Sequence, residues 1–285
     1  MKKEIKNFSL IMSVYNGTNP YLLSESLKSL LYQRYTPQEI LIMFDGPLNA
    51  RITFLLNSFI YKNQHNLKIR KYANKKNLGI VKSYNYLINH ANNKLVAIHD
   101  SDDCSHYQRF YYQYNFLNIN KSYSVVGSSI YENFIHESKK LTKKMPISNI
   151  SIKKRCKYSN PMNHPTVMFK KKDLIKFEYK NFYRMEDYYL WIRMIKKNKL
   201  FYNINKNLVS MNIDNNFFKR RSDYKILFYE FKIQKKLYLT KFNSLILTIF
   251  LIFLKCSYHI TPFFLKKKLR SFALFFLSKK QNQTK

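Results

Sequence analysis

The sequence predicts an α/β fold with a mostly parallel, Rossmann-like central sheet, flanked by helices and followed by a helical C-terminal segment. Short apolar runs alternate with stretches of helical spacing, which is typical of parallel strands joined by helices. Glycine or aspartate follows three of the apolar runs, as expected where strands end in loops. Hydrophobic residues make up 46% of the 285 residues and aromatic residues 17%, so the chain can bury a substantial core.

The first half of the chain contains four predicted strands separated by three predicted helices. Strands joined in this way run parallel, so their carboxyl ends meet at one edge of the sheet, where such folds bind ligands. Asn16-Gly17, Asp45-Gly46 and the segment 100–103 all follow these ends. The predicted strands cover residues 8–14, 39–44, 67–72 and 95–99, and the predicted helices cover about 22–31, 51–61 and 81–90.

The second half of the chain has a less regular pattern. Trp191, Met194 and Ile195 recur at helical spacing and mark the apolar side of one amphipathic helix. The predicted elements are a polar, basic surface connection at 139–157, a turn-rich loop at 160–165, a short strand at 166–170 and the amphipathic helix at 186–197.

Residues 220–285 form a predicted helical region that follows a main domain at 1–219. The apolar run 244–254, which ends at Lys255, has about half of the ~20 residues that a membrane-spanning helix needs. Aromatic and aliphatic patches alternate with lysines after it, which favours helices lying in the interface of a membrane with anionic headgroups. The alternative is that these helices close the core.

The charge of the chain is strongly one-sided, with 51 Lys and Arg against 16 Asp and Glu and a formal net charge of +35. Such a charge attracts nucleic acid, anionic lipid and phosphorylated substrates. A compositional origin is the alternative, because the chain is also rich in the Asn, Ile, Tyr and Phe that an AT-rich genome encodes. A nucleic-acid-binding protein is the competing function, but the lysines are spread along the chain without a recognisable module, so we do not expect nucleic acid as the partner.

Glycine and cysteine usage narrows the possible classes of protein. The four glycines form neither a GxGxxG motif nor a P-loop, which argues against a dinucleotide oxidoreductase and a P-loop NTPase. The three cysteines are scattered without zinc-site spacing, which is typical of a reducing compartment. The N-terminal apolar run passes directly into a loop, so we interpret it as a strand rather than a signal peptide.

Three of the chain's 16 acidic residues lie within four positions, at Asp100, Asp102 and Asp103. Carboxylate oxygens are the ligands that hard divalent cations prefer, and a bound diphosphate supplies further oxygens. An Asp-x-Asp at a strand end therefore predicts a cation held against a diphosphate. The alternative is an acidic turn or a helix N-cap, since Asp suits both.

A second acidic pair, Glu186-Asp187, opens the amphipathic helix. One interpretation is a general base that removes the proton from an attacking hydroxyl. The other is a pair of acids that stabilises the positive end of the helix dipole. Taken alone, the pair favours the second interpretation.

Seven short segments, read in order, change that balance: SVYNG, DGPL, NLG, DSDD, NPMNHPTVMFKK, EDYYLW and KRR. Together they resemble inverting family 2 glycosyltransferases, and in particular the bacterial members that build exopolysaccharide, capsule and O-antigen. The resemblance covers nearly the whole chain. It implies a GT-A fold with a catalytic domain at 1–219, a nucleotide-diphosphate-sugar donor and a divalent cation, Mn²⁺ or Mg²⁺.

The resemblance also implies roles for individual residues. Asp187 is implied as the catalytic base with Glu186 as its neighbour, and Asp102 as the metal ligand with Asp100. Phe44 stands where many family members carry an acid, which leaves recognition of the nucleobase open. The implied donor-binding residues are Val14, Tyr15, Asn16, Asp45, Asn77, Gly79, Asp100, Ser101, Asp103, Arg220 and Arg221.

Asn163 and His164 are implied on the acceptor side, and Trp191 is a further candidate there. A structural hydrogen-bonding role is the alternative for His164. Stacking of Trp191 on a sugar requires an exposed ring, whereas the spacing of its neighbours favours the core. A solvated pair is the alternative for Arg220 and Arg221.

The resemblance further implies a UDP-linked donor, with galactose as the candidate sugar, and a glycan or lipid-diphosphate-linked acceptor. The implied location is cytoplasmic and peripheral, on the inner face of the bacterial cytoplasmic membrane, with the C-terminal region against an anionic membrane surface. A non-catalytic scaffold related to these enzymes is the remaining alternative. The intact DSDD and ED pairs argue against it.

Overall fold

The computed structural model describes residues 3–137, 139–214, 224–261, 265 and 268. Arg220, Arg221 and the predicted boundary at 219/220 lie outside the described residues, as does most of the chain after 261. The strands are β1 Glu4–Val14, β2 Tyr35–Phe44, β3 Lys68–Ala73, β4 Leu95–Ile98, β5 Cys104–Ser105, β6 Tyr123–Phe134, β7 Lys139–Lys143, β8 Met168–Lys170 and β9 Leu200–Ile213. The helices are α1 Pro20–Leu31, α2 Ala50–Asn63, α3 Ile80–His90, α4 Arg109–Ile119, α5 Asn149–Cys156, α6 Lys171–Phe177, α7 Glu186–Lys196, α8 Tyr224–Leu239 and α9 Leu245–Ile260.

The strands of the described chain form one sheet in the order β3-β2-β1-β4-β8-β6-β9-β5, with β7 paired to β6. The strands β3, β2, β1 and β4 run parallel, as predicted from their alternation with helices. Beyond β4 the sheet is mixed, because β8 pairs antiparallel to both β4 and β6. Apolar periodicity carries no information on strand direction, so this half of the sheet could not be predicted from the pattern.

The core lies on both faces of the sheet, because β1 is buried on both sides and sends alternate side chains to opposite faces. Leu10 and Met12 pack against α1, α2 and α4. Ile11 packs on the other face, in a cluster that includes side chains of α3, α5, α6, α7 and α8. The two helical layers therefore hold the strand ends, and the loops that follow them, in fixed positions.

The segment 139–157 differs from the predicted surface connection. It contains the edge strand β7 and the helix α5, which begins after Ser148 with that hydroxyl accepting a hydrogen bond from the amide of Ser151. The strand predicted at 166–170 is shorter, since a 3-10 helix at His164–Thr166 precedes β8. Four lysines in β7 and the following loop mask the weak alternation of apolar and polar residues that an exposed edge strand has.

The C-terminal helices pack on the main body of the protein. Ile233 and Leu237 of α8 belong to the same buried cluster as the side chains of α7. Asn243, in the turn between α8 and α9, donates a hydrogen bond to the Lys157 carbonyl after α5 at 3.0 Å. Within the described residues, no helix has the length and apolar character needed to cross a bilayer.

Candidate active site

The carboxyl ends of β1, β2 and β4 meet at one edge of the sheet, as the sequence predicts. The amide of Asp45 donates to the carbonyl of Val14 at 2.8 Å, and the amide of His99 donates to the carbonyl of Ile11 at 3.0 Å. The loop after β1 is joined to the start of α2, because the amide of Asn49 donates to Oδ1 of Asn16 at 2.9 Å. Three loops are thus fixed side by side.

Asp45 organises the loop between β3 and α3. Its buried carboxylate accepts hydrogen bonds from Asn74 Nδ2 at 2.8 Å and from the amides of Leu78 and Gly79, both at 2.9 Å. The last of these amides is at the start of α3, where a carboxylate is stabilised by the helix dipole. Asp45 therefore holds the Asn74–Gly79 loop in place, and its predicted contact with the donor stays a prediction.

The Asp100–Asp103 turn follows β4 and is held from two directions. On one side, the hydroxyls of Ser101 and Thr18 lie 3.4 Å apart, which joins the turn to the loop after β1. On the other, Asn212 of β9 donates its side-chain amide to the Asp102 carbonyl at 2.6 Å and its backbone amide to Asp103 Oδ1 at 3.2 Å. Asp100 and Asp102 remain half-buried at the rim, while Asp103 is buried.

A buried polar network supports the turn from below. Arg109 is fully buried and donates to Ser105 Oγ at 2.9 Å and to His99 Nδ1 at 3.4 Å. Since Nδ1 of His99 must accept, its Nε2 carries the proton and donates to Ser26 Oγ, 2.8 Å away. Ser26 in turn donates to the Asp100 carbonyl at 3.1 Å. The chain of donors ends on the backbone of the acidic turn.

The network also determines the charges beneath the acidic turn. Burial, assisted by the Arg109 guanidinium, lowers the pKa of His99 well below its ordinary value, so this ring is neutral. Burial lowers the pKa of Arg109 to about 9, which leaves its guanidinium charged at neutral pH. Arg109 is therefore a buried cation close to the acidic turn.

The three carboxylates repel one another. Burial raises the pKa of Asp103 well above its ordinary value, and the charges of Asp102 and Asp100 raise it further. Among the described residues, no three His, Cys, Asp or Glu side chains are arranged to hold a metal ion by themselves. Asp102 and Asp100 fit a hard cation that takes its remaining oxygens from a bound diphosphate and relieves this repulsion.

An aromatic cluster connects the acidic turn to the second acidic pair. The hydroxyl of Tyr84, on α3, donates to Asp100 Oδ1 at 2.9 Å, and its ring stacks on His164 with 5.6 Å between centroids. His164 Nε2 lies 3.0 Å from the hydroxyl of Tyr179. Burial raises the pKa of Tyr179 well above its ordinary value, and Asp187 and Asp100 raise it further. Both acidic groups therefore act on one buried tyrosine.

Glu186 and Asp187 form the first turn of α7. Asp187 Oδ2 accepts a hydrogen bond from Asn160 Nδ2 at 2.6 Å. Burial and the neighbouring charge of Asp187 raise the pKa of Glu186 to about 7. Glu186 is therefore only partly ionised at neutral pH, which lessens the negative charge beside Asp187.

Two of the predicted acceptor-side residues do not face the site. Trp191 is fully buried and packs edge-on against Phe201, so its ring offers no surface to a sugar and the acceptor assignment is wrong. Asn163 is also buried and donates its side-chain amide to the Ser128 carbonyl at 3.2 Å, which fixes the loop rather than contacting solvent. His164 is the member of this set that joins the aromatic cluster.

Among the predicted donor-side residues, Val14 lies with its side chain in the core and presents only its backbone to the rim. Tyr15 and Asn16 are exposed in the loop after β1, and Asn77 is exposed next to Gly79. The structure adds three residues that the sequence reasoning missed: Tyr84, Tyr179 and Asn160. Asn160 opens the NPMNHPT segment and could have been singled out there, whereas the two tyrosines give no signal in a chain with 24 tyrosines.

The chain is similar to known bacterial glycosyltransferases. It is 32% identical over 246 residues to the UDP-Gal:alpha-D-GlcNAc-diphosphoundecaprenol beta-1,3-galactosyltransferase of Escherichia coli, covering 86% of this chain and 88% of that protein. It is 30% identical over 189 residues to an amylovoran biosynthesis glycosyltransferase of Erwinia amylovora, covering 66% of this chain and 69% of that protein.

Solved structures share the fold. A mannosyltransferase from Pyrobaculum calidifontis in complex with GDP-Man and Mn²⁺ superposes with a TM-score of 0.62 at 12% identity, covering 79% of this chain. S. aureus TarS in complex with UDP-GlcNAc superposes with a TM-score of 0.57 at 16% identity, also covering 79% of this chain. The chain spans 63% and 66% of the length of these two structures. The fold is that of GT-A glycosyltransferases.

The matched family region includes both acidic groups and the aromatic cluster between them. The model of the family described as "Glycosyl transferase family 2" matches residues 9–228, which is more than three quarters of the chain. With its rim of carboxylates at the ends of parallel strands, this chain belongs to glycosyl transferase family 2 and is a glycosyltransferase.

Proposed function

We propose that the chain transfers a hexose from a UDP-sugar to a lipid-diphosphate-linked or glycan acceptor during synthesis of a bacterial surface polysaccharide, with inversion at the anomeric carbon. The observation that carries the proposal is that Asp100 and Asp187 both act on one cluster of Tyr84, His164 and Tyr179, Asp100 through a hydrogen bond from Tyr84 and Asp187 through its charge on Tyr179. One acidic group suits the diphosphate side of a displacement and the other suits the attacking hydroxyl. Galactose is the candidate sugar, because the Escherichia coli relative is named for UDP-Gal.

Asp187 is the proposed base. Asn160 donates to Oδ2 of Asp187 at 2.6 Å and the amide of Tyr188 donates to Oδ1 at 2.7 Å, and these two hydrogen bonds orient the carboxylate. The acceptor hydroxyl gives its proton to Asp187 as its oxygen bonds to the anomeric carbon, and the bond from that carbon to the diphosphate oxygen breaks on the opposite face. Glu186 has a pKa of about 7, so at neutral pH it is only partly ionised and adds less than a full negative charge beside the proposed base.

Asp102 and Asp100 are the residues that would hold a divalent cation, Mn²⁺ or Mg²⁺. When bound, such a cation neutralises charge on the departing diphosphate. Ser101 and Asn212 keep the turn in position through their bonds to Thr18 and to the Asp102 carbonyl. Arg109, buried below, offsets part of the negative charge of the turn before any ligand binds.

We also propose that the enzyme works at the inner face of the cytoplasmic membrane, where a lipid-diphosphate acceptor presents its sugar. The Escherichia coli relative is named for such an acceptor. A peripheral contact of the C-terminal helices, which pack on the body through Ile233 and Leu237, suits this location.

The test is transfer of radiolabelled sugar from a panel of UDP-sugars to a diphosphate-lipid-linked N-acetylglucosamine. We expect Asp187→Asn and Asp102→Ala each to lower the rate at least a hundredfold with the fold intact by circular dichroism. Glu25→Gln is the matched control, because Glu25 is a surface acid paired with Lys28. Full activity in both variants would refute the assignment of the site.

A further inference from the structure

Helix α9 presents its apolar side outward. Its exposed positions recur in adjacent pairs one turn apart, which places them on one face of the helix. The opposite face buries Thr248 and Leu251. The outward residues are Leu245, Ile246, Ile249, Phe250, Phe253 and Leu254, with Ile246 exposed by 82% and Phe253 by 71%.

The orientation of α9 is fixed by polar contacts with its neighbours. Lys255 forms an ion pair with Glu230 of α8. Asn243, buried in the turn before α9, donates to the Lys157 carbonyl. The outward face is therefore held away from the protein body, and a water-exposed apolar face of this kind marks a contact surface.

A basic cleft lies beside the beginning of α9. Its volume is about 640 Å³, and none of the described residues that line it is acidic. Among the described residues, none of its lysines forms an ion pair within 4.0 Å. The lysines that do form one are Lys6, Lys28, Lys143, Lys199 and Lys255. The lining lysines are Lys153, Lys154 and Lys157 at α5, Lys196 at the end of α7 and Lys241 in the turn before α9.

The cleft and the apolar face are continuous along the chain. Lys241 and Phe242 line the cleft, and the exposed Leu245 and Ile246 follow within five positions. Because the buried side chain of Asn243 donates to the backbone of Lys157, the two parts cannot separate without breaking this partly buried hydrogen bond. Together we call the outward face of α9 and the five cleft lysines the basic-apolar surface.

Charge decides what covers the basic-apolar surface. A second copy of this chain carries a net charge of +35 and would bring further cations to the cleft. The segment 262–285 has seven Lys and Arg and no acid, so it does not complement the cleft either. Nucleic acid would satisfy the lysines but leave the apolar face in water. A bilayer with anionic headgroups offers phosphate and hydrocarbon at adjoining depths.

We propose that the basic-apolar surface docks on an anionic bilayer, with the outward face of α9 in the acyl boundary and a headgroup phosphate in the lysine cleft. This docking proposal rests on the membrane location proposed above and specifies which residues would contact the bilayer. Its test reads vesicle binding without any transfer reaction, so failure of this surface and failure of the transferase assignment are distinguishable.

The experiment is flotation of the full chain with vesicles of phosphatidylglycerol and phosphatidylcholine, against vesicles of phosphatidylcholine alone. We expect binding to the anionic vesicles, and at least tenfold weaker binding to the neutral ones. The cleft variant Lys153→Gln/Lys157→Gln/Lys241→Gln should lose at least tenfold in affinity for anionic vesicles. The α9 variant Ile249→Ser/Phe253→Ser should lose at least tenfold for the same vesicles.

Matched controls distinguish binding through this surface from the effect of the net charge and from non-specific binding through exposed apolar side chains. Lys62→Gln/Lys68→Gln/Lys94→Gln removes three exposed lysines elsewhere, and Phe54→Ser/Ile119→Ser removes two exposed apolar side chains elsewhere. Both should bind as the unchanged chain does. Equal losses in the control and cleft variants would overturn the proposal, as would absence of binding to anionic vesicles. Two other results would also overturn it. One is self-association of the chain that disappears in the α9 variant, and the other is oligonucleotide binding, without any vesicle binding, that disappears in the cleft variant.

Discussion

The side-chain amide of Asn160 donates a 2.6 Å hydrogen bond to Oδ2 of Asp187. It joins the loop before β8 to the first turn of α7, two segments that are 27 positions apart in the chain. The amide of Tyr188 donates to Oδ1 of the same carboxylate at 2.7 Å, so both oxygens accept a hydrogen bond and the plane of the carboxylate is fixed. The bond from Asn160 therefore bears on the geometry of the proposed base more than on the stability of the fold.

Replacing Asn160 tests that relationship. We expect Asn160→Ala to lower kcat for sugar transfer about 10- to 100-fold with little change in the donor KM, because the partner that orients the proposed base is lost. The free energy of unfolding should fall by only about 1 kcal/mol. Steady-state kinetics and urea unfolding measure the two effects. An unchanged kcat would contradict a positioning role for Asn160.

Glu186 should make stability depend on pH. Burial and Asp187 raise its folded pKa from 4.5 to about 7, so the folded state binds the proton more tightly than the unfolded state does. The cost to stability is absent below pH 4.5, grows as pH rises through this window, and is complete above about 7. We expect Glu186→Gln to be more stable than the unchanged chain by up to about 3 kcal/mol at pH 8 and by little at pH 4.

Urea unfolding at the two pH values measures this difference. The exposed Glu25→Gln is the control, since it changes the same charge at the surface. A difference that is the same at pH 4 and pH 8 would show that Glu186 does not titrate in this window.

The buried network beneath the acidic turn predicts a cost for losing one hydroxyl. Ser26→Ala leaves the Nε2 proton of the buried His99 without its partner and releases the Asp100 carbonyl. We expect a loss of about 1–3 kcal/mol in the free energy of unfolding. The half-buried Ser24 on the same helix provides the control, and Ser24→Ala should change stability by less than about 0.5 kcal/mol.

Two glycines with positive φ form a matched pair. Gly46 has φ +91° and a Cβ there would lie 2.6 Å from the amide nitrogen of Asn77, while Gly79 has φ +83° and open space around the added atom. Gly79→Ala should cost about 1–3 kcal/mol from backbone strain alone. Gly46→Ala should cost more, because backbone must also move. Thermal unfolding of the two variants compares their losses of stability. Equal losses would show that the loop containing Asn77 moves without cost to accommodate the added Cβ.

Metal removal tests the acidic turn. We expect EDTA to stop sugar transfer and added Mn²⁺ or Mg²⁺ to restore it, because Asp102 and Asp100 supply the oxygen ligands that such cations prefer. Thermal shift with UDP should also depend on the cation, which gives a readout that needs no turnover. Transfer that continues unchanged in the chelator would rule out a metal role.

The sequence predicts the first half of the fold closely, because Gly or Asp follows three of the four apolar strands there. The strands β1 to β4 and the helices between them appear where the pattern places them, with β1 and β2 each beginning four residues earlier, at Glu4 and Tyr35. The sequence does not predict β7 and α5, because Lys or Arg occupies three of the five positions of β7 and three of the eight positions of α5. Their stability comes from pairing with β6 and from burial of Ile152 and Cys156, which are tertiary effects.

The sequence predicts the acidic residues of the candidate site, but it does not predict the side chains that form hydrogen bonds with them. Carboxylates are scarce in this chain, so Asp100, Asp102 and Asp187 stand out. Tyr84 and Asn160 do not, because a tyrosine on a helix and an asparagine before a proline each have common structural explanations. Only the distances to Asp100 and Asp187 distinguish them.

Gly79 caps the N-terminus of helix α3, and its amide donates a hydrogen bond to Asp45. Five positions later the helix carries Tyr84, whose hydroxyl donates to Asp100. Each helical residue turns the chain by about 100°. The number of residues between Gly79 and Tyr84 therefore sets the direction in which the Tyr84 side chain leaves the helix axis. Inserting or deleting a single residue in that stretch would swing Tyr84 roughly a quarter of a revolution away. We therefore expect relatives that keep the contact between this hydroxyl and the acidic turn to have the same number of residues between Gly79 and Tyr84.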